Sequence, residues 1–178
     1  QTKGYKTYLF GKYHLGYFNE QYLPTQRGFD HFYGSYNGGE QSFVNHTVAV
    51  TYNGTTYTRF DLFDDAQPVN DSDLHSYSTF LYADRTIETI QQFADGNHTD
   101  PFFIYLSLQN VHSPLADTPA SYVNRIPSFV TDVSMRQKLA KVLIVDDAIG
   151  DIVRELNDTQ LWQNTLVIFS TDNGAPSG

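Results

Sequence analysis

Three short stretches hold residue types that could do chemistry together. Gly11-Lys12-Tyr13-His14-Leu15-Gly16 sets a cation and a titratable imidazole two positions apart, between glycines. In an extended segment residues i and i+2 face the same way, so Lys12 and His14 could enter one pocket. A lysine there neutralises an anionic ester, and a histidine moves a proton near neutral pH. One Lys-x-His pair fits an exposed lysine and an ordinary surface histidine equally well. His112, in Asn110-Val111-His112-Ser113-Pro114, follows an apolar run. Loops at the C-terminal ends of strands in open α/β sheets are where sites gather, although a solvated histidine is the plainer reading. Asp172-Asn173-Gly174 follows a second apolar run, and a carboxylate beside an amide oxygen suits a hard cation such as calcium or magnesium. It is also a natural turn sequence. The paired carboxylates Asp64-Asp65 and Asp146-Asp147 read as solvated or structural, because adjacent helix residues such as the second pair point about 100° apart.

The elements that must position these residues follow from periodicity. Thr7–Phe10 reads as a short strand stopped by Gly11, and 34–39 is turn-rich. Residues 44–60 are polar and β-branched around Asn53-Gly54, which predicts a surface hairpin. Residues 61–76 are acidic, without a clear period, and read as loop. Ser78–Ala94 carries Phe80, Ala83, Ile87, Ile90 and Ala94 at helical spacing, with Gly96 as a stop. Phe102–Leu108 and Thr165–Ser170 are short continuous apolar runs that predict fully buried strands. Between them 110–130 reads as loop. Ser134–Leu156 predicts a long helix with Met135, Leu139, Val142, Leu143, Ile149, Ile152, Val153 and Leu156 on one apolar face. Buried strands alternating with helices indicate an α/β layered fold with a mostly parallel sheet.

Composition narrows the function. The 178 residues are 40% hydrophobic and 15% aromatic, which excludes a disordered tail. The net charge of −9 disfavours nucleic acid, and an anionic substrate then needs a local cationic pocket. With no cysteine, thiol catalysis, zinc–thiolate sites and disulfides are excluded within this span. No apolar run approaches the ~20 residues of a membrane helix. Sequons at Asn45, Asn53, Asn70, Asn97 and Asn157, all in polar or turn-like sequence, favour a glycosylated protein of the secretory pathway. Gln1 runs almost directly into a strand and Gly178 follows a loop, so both ends read as cut.

Taken together, these segments resemble the sulfatase family, and its arylsulfatases in particular. The family block Gly-Lys-Trp-His-Leu-Gly stands here as GKYHLG at 11–16, and Leu-Pro-Thr-x-Arg-Gly-Phe-Asp-x-Phe-x-Gly as LPTQRGFDHFYG at 23–34. LSLQNVHSPL at 106–115 is similar to the strand and loop of a second active-site histidine, and LWQNTLVIFSTDNG at 161–174 to the metal-binding Asp-Asn strand end. The resemblance implies an alkaline-phosphatase-like fold, incomplete at both ends, and one catalytic domain of which 1–178 is a part. It implies hydrolysis of sulfate esters, with Lys12 and His112 contacting sulfate or the leaving oxygen and His14 serving the nucleophile. Asp172 and Asn173 would be two ligands of one calcium ion. The family's formylglycine nucleophile, made from cysteine, would lie upstream, as would a metal-binding Asp pair; a further Lys is expected downstream. Tyr13 replaces the usual Trp.

The substrate so implied is a sulfated small molecule or a glycosaminoglycan-type sugar, and the location lysosomal or extracellular. Alone, the chain should lack activity, bind calcium poorly and aggregate. Two alternatives remain: a phosphodiesterase or phosphonate hydrolase of the same superfamily, and a non-catalytic secreted glycoprotein that keeps the fold.

Overall fold

The computed structural model describes residues 3–38, 40–69, 75–96 and 99–174. Its strands are β1 (Lys6–Gly11), β2 (His31–Gly34), β3 (Glu40–Ser42), β4 (Thr47–Tyr52), β5 (Thr55–Phe60), β6 (Phe63–Asp64), β7 (Gln67–Pro68) and β8 (Phe102–Ser107). Its α-helices are α1 (Ser78–Ala94), α2 (Ala120–Val123) and α3 (Val133–Asp158).

β1 lies between two parallel neighbours. It pairs with β2 from Tyr8↔His31 to Phe10↔Tyr33, and with β8 from Lys6↔Phe102 to Gly11↔Ser107. Parallel strands are covered on both faces, and β1 follows that rule. Tyr8 and Phe10 pack with Tyr33, Leu62, Leu81, Tyr82 and Phe93 on the α1 side, while Leu9 packs with Leu23, Phe32 and Tyr36 on the other. Asp30 anchors the entry of β2 to β1, its Oδ2 accepting from Thr7 N at 2.9 Å and from Thr7 Oγ1 at 3.1 Å. The full order is β7-β6-β2-β1-β8, with β6 and β7 antiparallel at one edge. β6 and β7 correct the reading of 61–76 as loop. Phe63 packs against the Leu9–Phe32–Tyr36 cluster and Val69 against the other, so burial recruits a segment that shows no period.

A second sheet, β3-β4-β5, contains the expected hairpin. Asn53 and Gly54 form its turn at φ +49° and +76°. That left-handed pair matches the twist of the flanking strands.

α1 has the predicted limits. Two of its buried hydroxyls bond back to the helix, Thr86 Oγ1 to Tyr82 O at 2.8 Å and Thr89 Oγ1 to Arg85 O at 2.8 Å. α3 starts at Asp132, whose carboxylate accepts from Met135 N at 2.7 Å, as an N-cap should. The helix is present but its buried stripe differs from the expected one. Leu156 of the expected face is buried, and Ala140, Ile144 and Ala148 are buried at i, i+4, i+8, whereas Met135, Leu139 and Val142 are exposed. α3 packs against α1, and two of its buried positions are alanines, which leave room for a close approach of the helices.

Three further expectations are corrected. β8 is an edge strand of the described sheet and none of its residues is fully buried: Phe102, Ile104 and Leu106 are half-buried, and Phe103 and Tyr105 are 50% and 53% exposed. Residues 110–130 include the short α2. The run 165–170 is not a buried strand: it joins neither sheet, and Leu166 and Ile168 are 84% and 78% exposed. Its hydrophobicity is real, but among the described residues no strand or helix covers it.

Candidate active site

The site forms where β1 and β8 end side by side. Their closeness requires glycine: a Cβ on Gly11, at φ +112°, would stand 2.0 Å from Ser107 O. Beyond Gly11 the chain is laced to its neighbours. Lys12 N donates to Ser107 O at 2.9 Å, Tyr13 N to Ser35 O at 2.8 Å and His14 N to Tyr36 O at 3.1 Å. The turn after β2 is fixed in its own right by buried Asp61, which accepts from Tyr36 N at 3.1 Å and from Asn37 N at 2.9 Å. Tyr13 turns toward the core, its ring edge-on to Phe32 and its hydroxyl donating to Tyr22 O at 2.7 Å.

Lys12 and His112 line one narrow crevice of about 10 Å³ with Gly38, Phe43 and Gln109. That is room for about one water-sized group. His14 meets the same place by a route that periodicity does not describe. Its φ is +50°, so the i, i+2 argument for an extended segment does not apply to it. Its imidazole lies over Gly38, where a Cβ would stand 2.0 Å from Cε1. Three of the expected residues therefore converge at the C-terminal ends of parallel β1 and β8.

The ring of His112 is oriented by its own loop. Nδ1 sits 2.8 Å from Ser113 O, which makes it the N–H donor and leaves Nε2 as the atom that exchanges a proton or bonds to a ligand. Buried Gln109 donates from Nε2 to Ser35 Oγ at 2.9 Å, tying the β8 loop to the β2 turn. Tyr36 stays a protonated phenol: burial, then the carboxylates of Asp65 and Asp61, push it up to about 12. Its hydroxyl donates to Asp65 O, so it is a brace rather than a base.

The sequence reading missed Gly38, Phe43, Gln109 and Lys141. Phe43 and Lys141 come from segments with no motif, and only the fold brings them under the crevice. Gln109 stands within the Leu106–Leu115 block, where its neighbour His112 drew the attention.

Asp172 and Asn173 lie on the exposed stretch after 165–170, and neither lines the crevice. Asp172 Oδ1 accepts from Asn173 N at 2.8 Å, and Asn173 Nδ2 donates to Gly174 O at 2.9 Å. Asp172 Oδ2 and Asn173 Oδ1 make none of these bonds, and two hard oxygens fit a calcium ion. Among the described residues no three His, Cys, Asp or Glu side chains are grouped to hold a metal, so these two would be part of a larger ligand set. Neither acidic pair is a metal site. Asp65 Oδ1 accepts from Phe32 N at 2.9 Å. Asp147 pairs with Arg125, whose guanidinium holds its carboxyl below the ordinary carboxylate range.

Asn45, Asn53 and Asn157 are exposed, whereas Asn70 and Asn97 lie outside the described residues. Among the described residues no helix is long and apolar enough to cross a membrane.

Comparison with known proteins places this geometry. Arylsulfatase J of Mus musculus is 31% identical over 96% of this chain, and N-acetylgalactosamine-6-sulfatase of Sus scrofa is 29% identical over 97%. The chain spans 27% and 31% of the lengths of those two relatives. The crystal structure of Ps i-CgsB in complex with k-i-k-neocarrahexaose superposes with a TM-score of 0.76 over 92% of this chain and 36% of that one, at 23% identity, a likeness of fold. The family model for Sulfatase matches residues 1–178, and the chain belongs to the sulfatase family.

Proposed function

We propose that this chain is part of the catalytic domain of a sulfuric ester hydrolase of arylsulfatase type, acting on a sulfated sugar or a related small sulfate ester. The observation that supports this best is that Lys12 and His112 line one crevice where two parallel strands end, with His14 lying against Gly38, which also lines it. On a chain of net charge −9, that crevice holds a local cation for an anionic group.

The roles are those that the family resemblance implies. The Lys12 ammonium makes a charge-assisted contact with a non-bridging sulfate oxygen. His112, with Nδ1 committed to Ser113 O, offers Nε2 to the sulfate or to the leaving oxygen. His14, held over Gly38, serves the nucleophile. That nucleophile is a formylglycine on a segment outside these cysteine-free residues. Asp172 and Asn173 would supply two ligands of a calcium ion, which would offer positive charge to a bound sulfate. The substrate is the kind named in the pig relative, a sulfated amino sugar. The protein is a secretory-pathway glycoprotein, lysosomal or extracellular, with Asn53, at the tip of an exposed hairpin, as an accessible acceptor.

The test is the whole enzyme assayed on p-nitrophenyl sulfate and p-nitrophenyl phosphate. Lys12→Ala and His112→Ala are each expected to lower kcat/KM on the sulfate by about 100-fold, the usual effect of removing one group that meets developing charge. Asp172→Ala is expected to weaken calcium binding in titration calorimetry. Faster turnover of the phosphate would transfer the chain to a phosphoryl-transferring relative. No turnover of either, with calcium bound, would leave a binding protein.

A further inference from the structure

α3 buries a lysine beneath the site, and its bonds go to the loop of His112. Lys141 is 0% exposed, between Ala140 and Ile144 on the side of α3 that meets the rest of the fold. Its Nζ donates to His112 O at 2.7 Å and to Pro114 O at 2.7 Å, so the ammonium brackets Ser113. Nζ also lies 3.6 Å from the centroid of Phe43, whose ring is a wall of the crevice. The same residue holds the start of the loop through its backbone. Lys141 O accepts from Asn110 Nδ2 at 3.1 Å, and Asn110 Oδ1 accepts from Tyr77 OH at 2.8 Å.

A helix stripe that needed only packing would carry an apolar residue here, because burying a charge is costly unless it is paired and hydrogen-bonded. The bonds it makes fix the carbonyls on either side of Ser113. Ser113 O in turn receives His112 Nδ1 and sets the ring orientation. We infer that Lys141 is a positioning residue for His112: it locks residues 110–114 and sets one positive charge under the anion crevice. The catalytic part of this inference rests on the sulfatase reading; the clamp itself does not.

The experiment compares the whole enzyme with its Lys141→Met, Lys141→Arg and Tyr77→Phe variants. Two readouts are used: backbone hydrogen exchange over 109–115, and kcat and KM on p-nitrophenyl sulfate. Lys141→Met keeps length and burial but removes every donor. Exchange at 110–114 is expected to quicken about tenfold, the worth of one lost net hydrogen bond, with amides of β1 and α1 unchanged. kcat is expected to fall about 100-fold, as for a reacting group displaced by a small distance, with KM changing less. Lys141→Arg should recover part of both, and Tyr77→Phe should quicken the same amides by a smaller factor.

Native exchange in Lys141→Met overturns the clamp. So does a kcat loss that merely follows the fraction of folded protein. If Lys141→Met does not fold, native exchange at 110–114 in both other variants overturns it as well. A wild-type enzyme inert toward sulfate esters whose loop still loosens in Lys141→Met removes the sulfatase reading and leaves the clamp standing.

Discussion

At the scale of single residues, the site depends on positions that have no side chain, Gly38 among them. Gly38 gives the imidazole of His14 its resting place, and a methyl group there would overlap the ring at 2.0 Å from Cε1. The clash is with a side chain that can rotate, not with backbone, so the fold should tolerate it. Gly38→Ala is therefore expected to lower kcat on a sulfate ester by about 100-fold through displacement of His14. The unfolding free energy should change by less than about 1 kcal/mol. Activity at the wild-type level would show that His14 does not work from this position. Lys12 and His112 could be picked out by residue type alone, because a cation and an imidazole in strand-end loops are chemically legible. Gly38 and Phe43 could not, since neither brings a reactive group and their value is only where they stand.

At the scale of elements, the junction of β1 and β2 carries a charge whose effect on stability depends on pH. Burial alone would raise the Asp30 carboxyl; the hydrogen bonds from Thr7 and the nearby Lys6 and His31 outweigh it and hold it below its ordinary 3.8. A carboxylate depressed in the folded state contributes stability that is present above the unfolded value. That stability is lost as pH falls through the folded one. Asp30→Asn keeps an oxygen for Thr7 and removes the charge. Its urea midpoint should lie below wild type at about pH 5, and the two should converge near about pH 2. A constant gap at both pH values would assign the role of Asp30 to shape alone. The turn chemistry of Asn53-Gly54 and the limits of α1 were legible because local rules suffice for them. β6 and β7 were not, because two-residue strands are selected by the core that Phe63 and Val69 join, not by a repeat of their own.

At the scale of the whole molecule, the described fold leaves apolar surface bare along β8 and over 165–170. Phe103, Tyr105, Leu166 and Ile168 are each at least 50% exposed. Patches of this kind mark contacts with further protein. The family relatives are about three times the length of this chain, and their additional segments are expected to cover them. The 178 residues alone should bind a hydrophobic dye and self-associate in sedimentation, with Phe103→Lys and Ile168→Lys each shifting the chain toward monomer. A monomer without dye binding would mean that 165–170 folds back onto the chain.

The sequence by itself determined the α/β class, the hairpin, both long helices and the family. Those rest on local periodicity, turn residues and ordered blocks of side chains. It also marked Lys12, His14 and His112, whose chemistry is carried by residue type. Only the tertiary structure decided that the parallel ends of β1 and β8 bring these three together. It also decided that Ala140, Ile144 and Ala148 are buried while Met135, Leu139 and Val142 stay exposed, and that Lys141 lies beneath the loop of His112. Those outcomes depend on contacts between residues far apart in the chain, and no window of sequence contains both partners.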